Sequence, residues 1–201
     1  KETSANRPVM AMIVLVGVTS LLVGNAYHAQ MPAFASSFPT ENVGVVYTAL
    51  LAANAAGAVF GGLALEGLAA LQPEPRKAMV MAGLWALCIV VFAVAPHYLM
   101  ALAALFVAGI LQIGFTAMAT TIVQLGAPPA KRGQVIGLFS MSMNGLRMGS
   151  GVTVGFLGAL VGIRWSLGVS ATLLVLVTAA LFFYVKASRS TLTPVGRPST
   201  L

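Results

Sequence analysis

Acidic residues are what this sequence has least of. Among 201 residues there are four glutamates and no aspartate, and charged side chains of both signs make up only 7%. A soluble domain of this length could not solvate its surface with so little charge. The 59% hydrophobic content and a mean hydropathy of +0.95 agree with that exclusion. The missing aspartates also exclude an intramembrane aspartyl protease, which needs a buried pair. The two histidines, His28 and His97, lie outside any His-Glu-x-x-His zinc motif. A rhomboid-type serine protease needs a histidine after its Gly-x-Ser-Gly, and both histidines precede Ser150-Gly151. Nothing therefore reads as an enzyme: no catalytic residue, metal site or cofactor motif is expected. Cys88 is the single cysteine, so no intrachain disulfide can form, and it reads as a small core hydrophobe.

What the chain does have is long apolar stretches. About six alternate with short connectors: Pro8–Met31, Val43–Leu65, Ala78–Ala95, Leu99–Leu125, Gln134–Gly162 and Trp165–Val185. Each has roughly the 18 or more residues a helix needs to cross a ~30 Å hydrocarbon core. Proline-bearing segments at Pro32–Asn42, Glu66–Lys77 and Gly126–Gly133 read as loops. The expected fold is thus all-α, a polytopic bundle of six transmembrane helices occupying residues 1–187, with a polar, disordered tail over 188–201. The first span is too long for a signal peptide, and the chain starts at Lys1 rather than Met, so it reads as part of something longer.

The basic residues sort by connector parity. Lys1, Arg7, Arg76, Lys77, Lys131, Arg132, Lys186, Arg189 and Arg197 fall on the ends and even connectors, whereas the odd ones carry Arg164 with Glu41 and His97. The positive-inside rule then places both termini in the cytoplasm, as for a bacterial plasma (inner) membrane protein. The net charge of +7 forms no stripe with interleaved aromatics, so the partner it implies is anionic lipid and not nucleic acid.

Polar residues are unevenly shared among the spans. The first carries Asn25 and His28, the second Tyr47 and Asn54, the fourth Gln112, Thr116 and Thr120, and the fifth Ser140, Asn144 and Arg147. The third has no strongly polar side chain and the sixth only serine and threonine. Unpaired amides and charges are costly in hydrocarbon, so spans one, two, four and five are expected to surround something wet, with three and six facing lipid. The pattern is a three-helix repeat used twice.

Arg147 is the sharpest candidate, roughly 20 Å along its span from Gln134. Steps of four, three and four put Ser140, Asn144, Arg147 and Gly151 on one helical face. Arg147 is either a cationic anchor for an anionic substrate group or half of a structural ion pair whose acid lies outside this chain. Asn25 and His28 could bind substrate or pass a proton, or His28 could be satisfied beside Tyr27. Gln112 with Thr116 could line a cavity or join helices. Small-xxx-small pairs at Gly57/Gly61, Gly145/Gly149, Gly151/Gly155 and Gly158/Gly162 suggest that the second and fifth spans pack closely against something outside this six-span unit.

From Arg7 to Lys186 the chain resembles the C-terminal half of a major facilitator superfamily transporter. Gly62-Leu63-Ala64-Leu65-Glu66 is a degenerate form of that family's Gly-x-x-x-Asp loop motif, with Arg76-Lys77 arriving late. The 128–133 stretch running into Gly137 is similar to the loop before the family's eleventh helix, and Gly162-Ile163-Arg164-Trp165 to its last periplasmic turn. The resemblance implies secondary active transport of a small solute by alternating access, with the substrate site shared with an N-terminal half or a dimer partner. Spans one and four would line the cavity, and two and five would meet the opposite half. Asn25, His28, Asn54, Gln112, Thr116, Asn144 and Arg147 are the substrate-binding candidates. Intramembrane acids are absent, so coupling would run through His28 or the other half. The alternative is a six-span membrane scaffold or permease subunit that does not transport alone.

The charge parity is directly testable. Single cysteines placed at Glu41 and Lys131 in a Cys88→Ala background should react differently with an impermeant thiol reagent on intact cells. Labelling is expected at Glu41 only, and labelling at Lys131 alone would reverse the topology.

Overall fold

The computed structural model describes residues 7–24, 26–38, 42–67, 73–150, 156, 158 and 162–190. Its helices are α1 (Arg7–Leu22), α2 (Ala26–Ser36), α3 (Val43–Gly67), α4 (Pro75–Val94), α5 (Tyr98–Gly126), α6 (Arg132–Ser140) and α7 (Ile163–Ser190). A 3-10 turn at Pro129–Lys131 precedes α6, and a π-helical segment at Met141–Gly145 follows it, with α-helix resuming over 146–150. Among the described residues five helical stretches are long and apolar enough to cross a membrane, the first being Pro8–Ser36. The expected fifth span is described only in part, and Gly151 and Gly155 lie outside the described residues. The all-helical membrane fold is as the apolar stretches required. α7 carries helix to Ser190, past the Ser188 expected to open the tail.

The first span departs from a plain rod. Gly24, at φ +44°, closes α1 by donating its N–H to the Thr19 carbonyl at 2.9 Å, and α2 starts again at Ala26. Glycine is required there, since a Cβ would also meet the Ser20 carbonyl and the Ser150 hydroxyl. Pro32, expected to open a loop, instead lies inside α2. Its ring removes one backbone bond, a loss that membrane helices tolerate when neighbours satisfy the freed group. Pro75 behaves more conventionally, at the first position of α4, where a missing N–H costs nothing. The far end of α5 is capped by Arg132, which donates from Nε and Nη2 to the Gln124 carbonyl at 3.2 and 2.9 Å.

α3 lies along α5, α5 also lies along α4, and α4 along α7, while the π segment and α6 lie against α1. The second span thus packs on the fourth as the fifth packs on the first, the pairing a repeated three-helix unit would give. Glycine sets how closely α3 and α5 approach. A Cβ on Gly57 would run into the Phe106 carbonyl, one on Gly109 into the Asn54 carbonyl, and one on Gly61 would lie 2.8 Å from the Ile110 Cα. This corrects the expectation that the second span's glycines await an outside partner, because they are consumed within this chain. Gly149 likewise abuts Leu21 of α1. α3 is the least covered of the membrane-length helices, with Val45, Val59, Phe60 and Leu63 exposed.

Two apolar clusters fill the bundle. One gathers Tyr27, Phe34, Trp85, Phe92, Leu105 and Leu167, and the other Met12, Leu15, Met79, Phe115, Met118 and Phe139. Between them, around residues 19–20 of α1 and Gln112 of α5, runs a polar layer.

The glycine seam predicts a paired result. Gly57→Leu should destabilise the bundle by at least ~1–3 kcal/mol in denaturant titrations in micelles. Gly62→Leu, one step round the same helix where a Cβ meets nothing within 4 Å, should be near neutral.

Candidate functional site

The polar layer is assembled from the first five spans. In α1 the buried Thr19 hydroxyl satisfies itself on the Val16 carbonyl at 2.8 Å. The Ser20 hydroxyl instead crosses to the Met143 carbonyl at 2.8 Å, inside the π segment. A π turn shifts each bond from the fourth to the fifth residue along, displacing carbonyls from their usual partners, and such turns recur at functional sites. Ser20 supplies a donor to one of those carbonyls.

Past the Gly24 bend, α2 carries Tyr27 and His28 into the interior. Tyr27 is fully buried, and its hydroxyl donates to Gln112 Oε1 at 3.1 Å. Its ring lies 4.0 Å, centroid to centroid, from the His28 ring and 6.3 Å edge-on from Trp85. His28 Nε2 meets Asn54 Oδ1 at 3.2 Å, and Asn54 Nδ2 donates to the Leu105 carbonyl at 3.2 Å. With the amide so oriented, Oδ1 accepts and the His28 proton sits on Nε2. Thr116 donates its hydroxyl to the Gln112 carbonyl, so much of its polarity is spent on its own helix.

Arg147 completes the layer. It is half-buried, and with Thr19, Ser20, Trp85, Gln112 and Thr116 it lines a small, partly open cavity of about 20 Å³, room for one water molecule. Among the described residues neither Arg147 Nε nor Trp85 Nε1, both buried, has an acceptor. Among the described residues the ion pair present is Lys77–Glu74, at 3.6 Å on the surface, so no carboxylate there neutralises Arg147. Two buried donors without acceptors at one cavity make it suited to an acceptor-rich, negatively charged group.

The structure therefore brings together His28, Asn54, Gln112, Thr116 and Arg147. Asn25 lies outside the described residues. Asn144 is exposed and donates Nδ2 to the Ser140 carbonyl at 3.2 Å, and it does not line the Arg147 cavity. It lies in the π segment, whose wider turn departs from the uniform spacing on which the four-three-four face was drawn. Sequence reasoning passed over Tyr27, Ser20 and Trp85. For Trp85 the available signal was an indole N–H, a donor needing a partner, in a span otherwise free of polar groups.

Tyr27 and Gln112 should be energetically coupled. A double-mutant cycle with Tyr27→Phe and Gln112→Leu, followed by unfolding in micelles, should give about 0.5–1 kcal/mol of interaction. Strict additivity would mean the bond contributes nothing.

Residues 74–199, more than half of the chain, match the Major Facilitator Superfamily. No curated protein matches the sequence as a whole. That match, with helices long and apolar enough to cross a bilayer and a polar layer built between them, identifies the chain as an integral membrane protein of a transporter family: it belongs to the Major Facilitator Superfamily.

Proposed function

We propose that the chain is the C-terminal half of a secondary active transporter that moves a small anionic solute by alternating access. The observation that carries this reading is the pair of unsatisfied buried donors, Arg147 Nε and Trp85 Nε1, on one cavity. A cation held in low dielectric with no carboxylate beside it among the described residues attracts an anion strongly, and Arg offers a planar fork to carboxylate or phosphate oxygens. His28, Asn54, Gln112 and Thr116 surround that point as hydrogen-bonding groups. The cavity is far below the ~300–1,000 Å³ of small-molecule sites, so the helices around it would have to part for a whole substrate to fit against Arg147. The Gly24 bend and the π segment, joined by the Ser20 hydrogen bond, are where backbone can give.

The uncovered apolar face of α3 would meet the N-terminal half of the same transporter, or a dimer partner, with the substrate site shared between the two. The bundle of residues 1–187 and a cytoplasmic tail over 188–201 follow the same reading. The basic connectors favour a bacterial plasma (inner) membrane with both termini cytoplasmic.

Proteoliposomes holding the transporter that contains this chain, offered a panel of small labelled carboxylates and phosphate esters, test the reading. Uptake of at least one anion over its neutral analogue is expected. Arg147→Ala should reduce that uptake roughly thirtyfold or more, the loss of about 2 kcal/mol or more of charged contact. Arg147→Lys should impair it at normal membrane abundance, because the charge remains but the fork is lost. Normal abundance with normal uptake in Arg147→Ala would remove Arg147 from the site.

A further inference from the structure

A second cavity is walled by two helices other than α3. It is an open groove of about 630 Å³ between α4 and α7, walled by Val90 and Val94 on one helix and Gly168, Thr172 and Leu176 on the other, with Arg164 at its end. Thr172 spends its hydroxyl on the Gly168 carbonyl at 2.7 Å, so the walls are effectively apolar. Arg164 is held in place by the faces of Phe34 and Phe38, whose centroids lie 5.6 and 5.4 Å from its guanidinium carbon. It donates to the Ser37 hydroxyl at 2.7 Å and at a long 3.4 Å to the Ala95 carbonyl, while its Nε is buried without an acceptor. Among the described residues no carboxylate meets it.

We propose that this groove holds one acyl chain of an anionic phospholipid whose headgroup phosphate rests on Arg164. Three observations select that occupant. Trp165, beside Arg164, is 69% exposed, and an exposed indole at a span end marks the headgroup level. From Arg164 the groove runs twelve residues to Leu176, about 18 Å along the helix, close to the ~15 Å hydrocarbon depth of one leaflet. The positive charge lies at the headgroup end and the apolar walls below it, so polarity changes along the groove in the same order as along a lipid. The volume lies within the ~300–1,000 Å³ of ligand sites. Gly168 lies in the groove wall, where a Cβ would reach ordinary contact with the Ala93 Cβ at 3.8 Å, so a longer side chain there would extend into the groove.

Trp165 provides the readout. The full chain, reconstituted in phosphatidylcholine vesicles, is exposed to brominated phosphatidylglycerol or brominated phosphatidylcholine while tryptophan emission is followed. Trp85, 3% exposed, contributes a constant background. The anionic lipid should compete for the quenching site about fivefold better than the neutral one, the advantage of one basic residue near a surface. Arg164→Gln should bring the ratio to about one, and Arg164→Lys should retain most of the preference. Gly168→Leu should fill the groove and abolish the preference although Arg164 remains. If Arg164→Gln does not fold, Gly168→Leu alone decides. Equal quenching by both lipids in the wild type, or full preference in either Arg164→Gln or Gly168→Leu, would overturn the proposal. So would loss of the preference on adding inorganic phosphate, which would indicate a free-anion site.

Discussion

The glycine seam between α3 and α5 is the contact on which the rest of the interior depends. Gly57, Gly61 and Gly109 let two backbones approach so closely that no side chain fits between them. Helix association in a bilayer has no hydrophobic drive of its own, so close van der Waals approach must supply it. At that separation Asn54 reaches across to the Leu105 carbonyl, which fixes its amide and turns its oxygen toward His28. Tyr27 is then held beside His28 by ring contact and by Gln112, and the polar layer follows from there. Were the seam widened, each of these bonds would lengthen together.

The layer sits between two apolar clusters, and that placement gives its bonds their significance. Water is excluded above and below, so each amide, hydroxyl and indole must find a protein partner or remain at a cost. Most find one. Among the described residues of the layer the two buried donors that do not, Arg147 Nε and Trp85 Nε1, line one cavity, and an unpaired donor is tolerable there only if something with lone pairs can visit.

Much of this was legible in the sequence, and the failures have identifiable causes. Spans, the all-helical fold and the family could be read because length, hydropathy and charge parity are properties of whole segments. The convergence of His28, Asn54, Gln112 and Arg147 could be read because hydrocarbon forces polar side chains inward whatever the local geometry. The π segment at Met141–Gly145 could not be read, because face arithmetic along Ser140, Asn144 and Arg147 assumes a uniform turn. Pro32 marks a loop under the turn chemistry of soluble chains, whereas in a membrane helix neighbouring groups can satisfy the freed carbonyl and the helix continues. The glycine pairs were seen, but spacing along one helix cannot say which neighbour it meets. Tyr27 and Trp85 went unread because aromatics look like filler until a partner is known.

The Ser20 hydrogen bond to Met143 joins residues 123 positions apart. At a synthesis rate of ~5–20 residues per second, Met143 emerges roughly 6–25 s after Ser20. For that interval the first span stands in or beside the bilayer without its eventual partner. Thr19 needs none, being bonded within its own helix, but Ser20 must borrow a local carbonyl or a lipid oxygen and give it up later. Assembly of the polar layer is therefore an exchange of a temporary contact at Ser20 for a final one, completed only when the fifth span arrives.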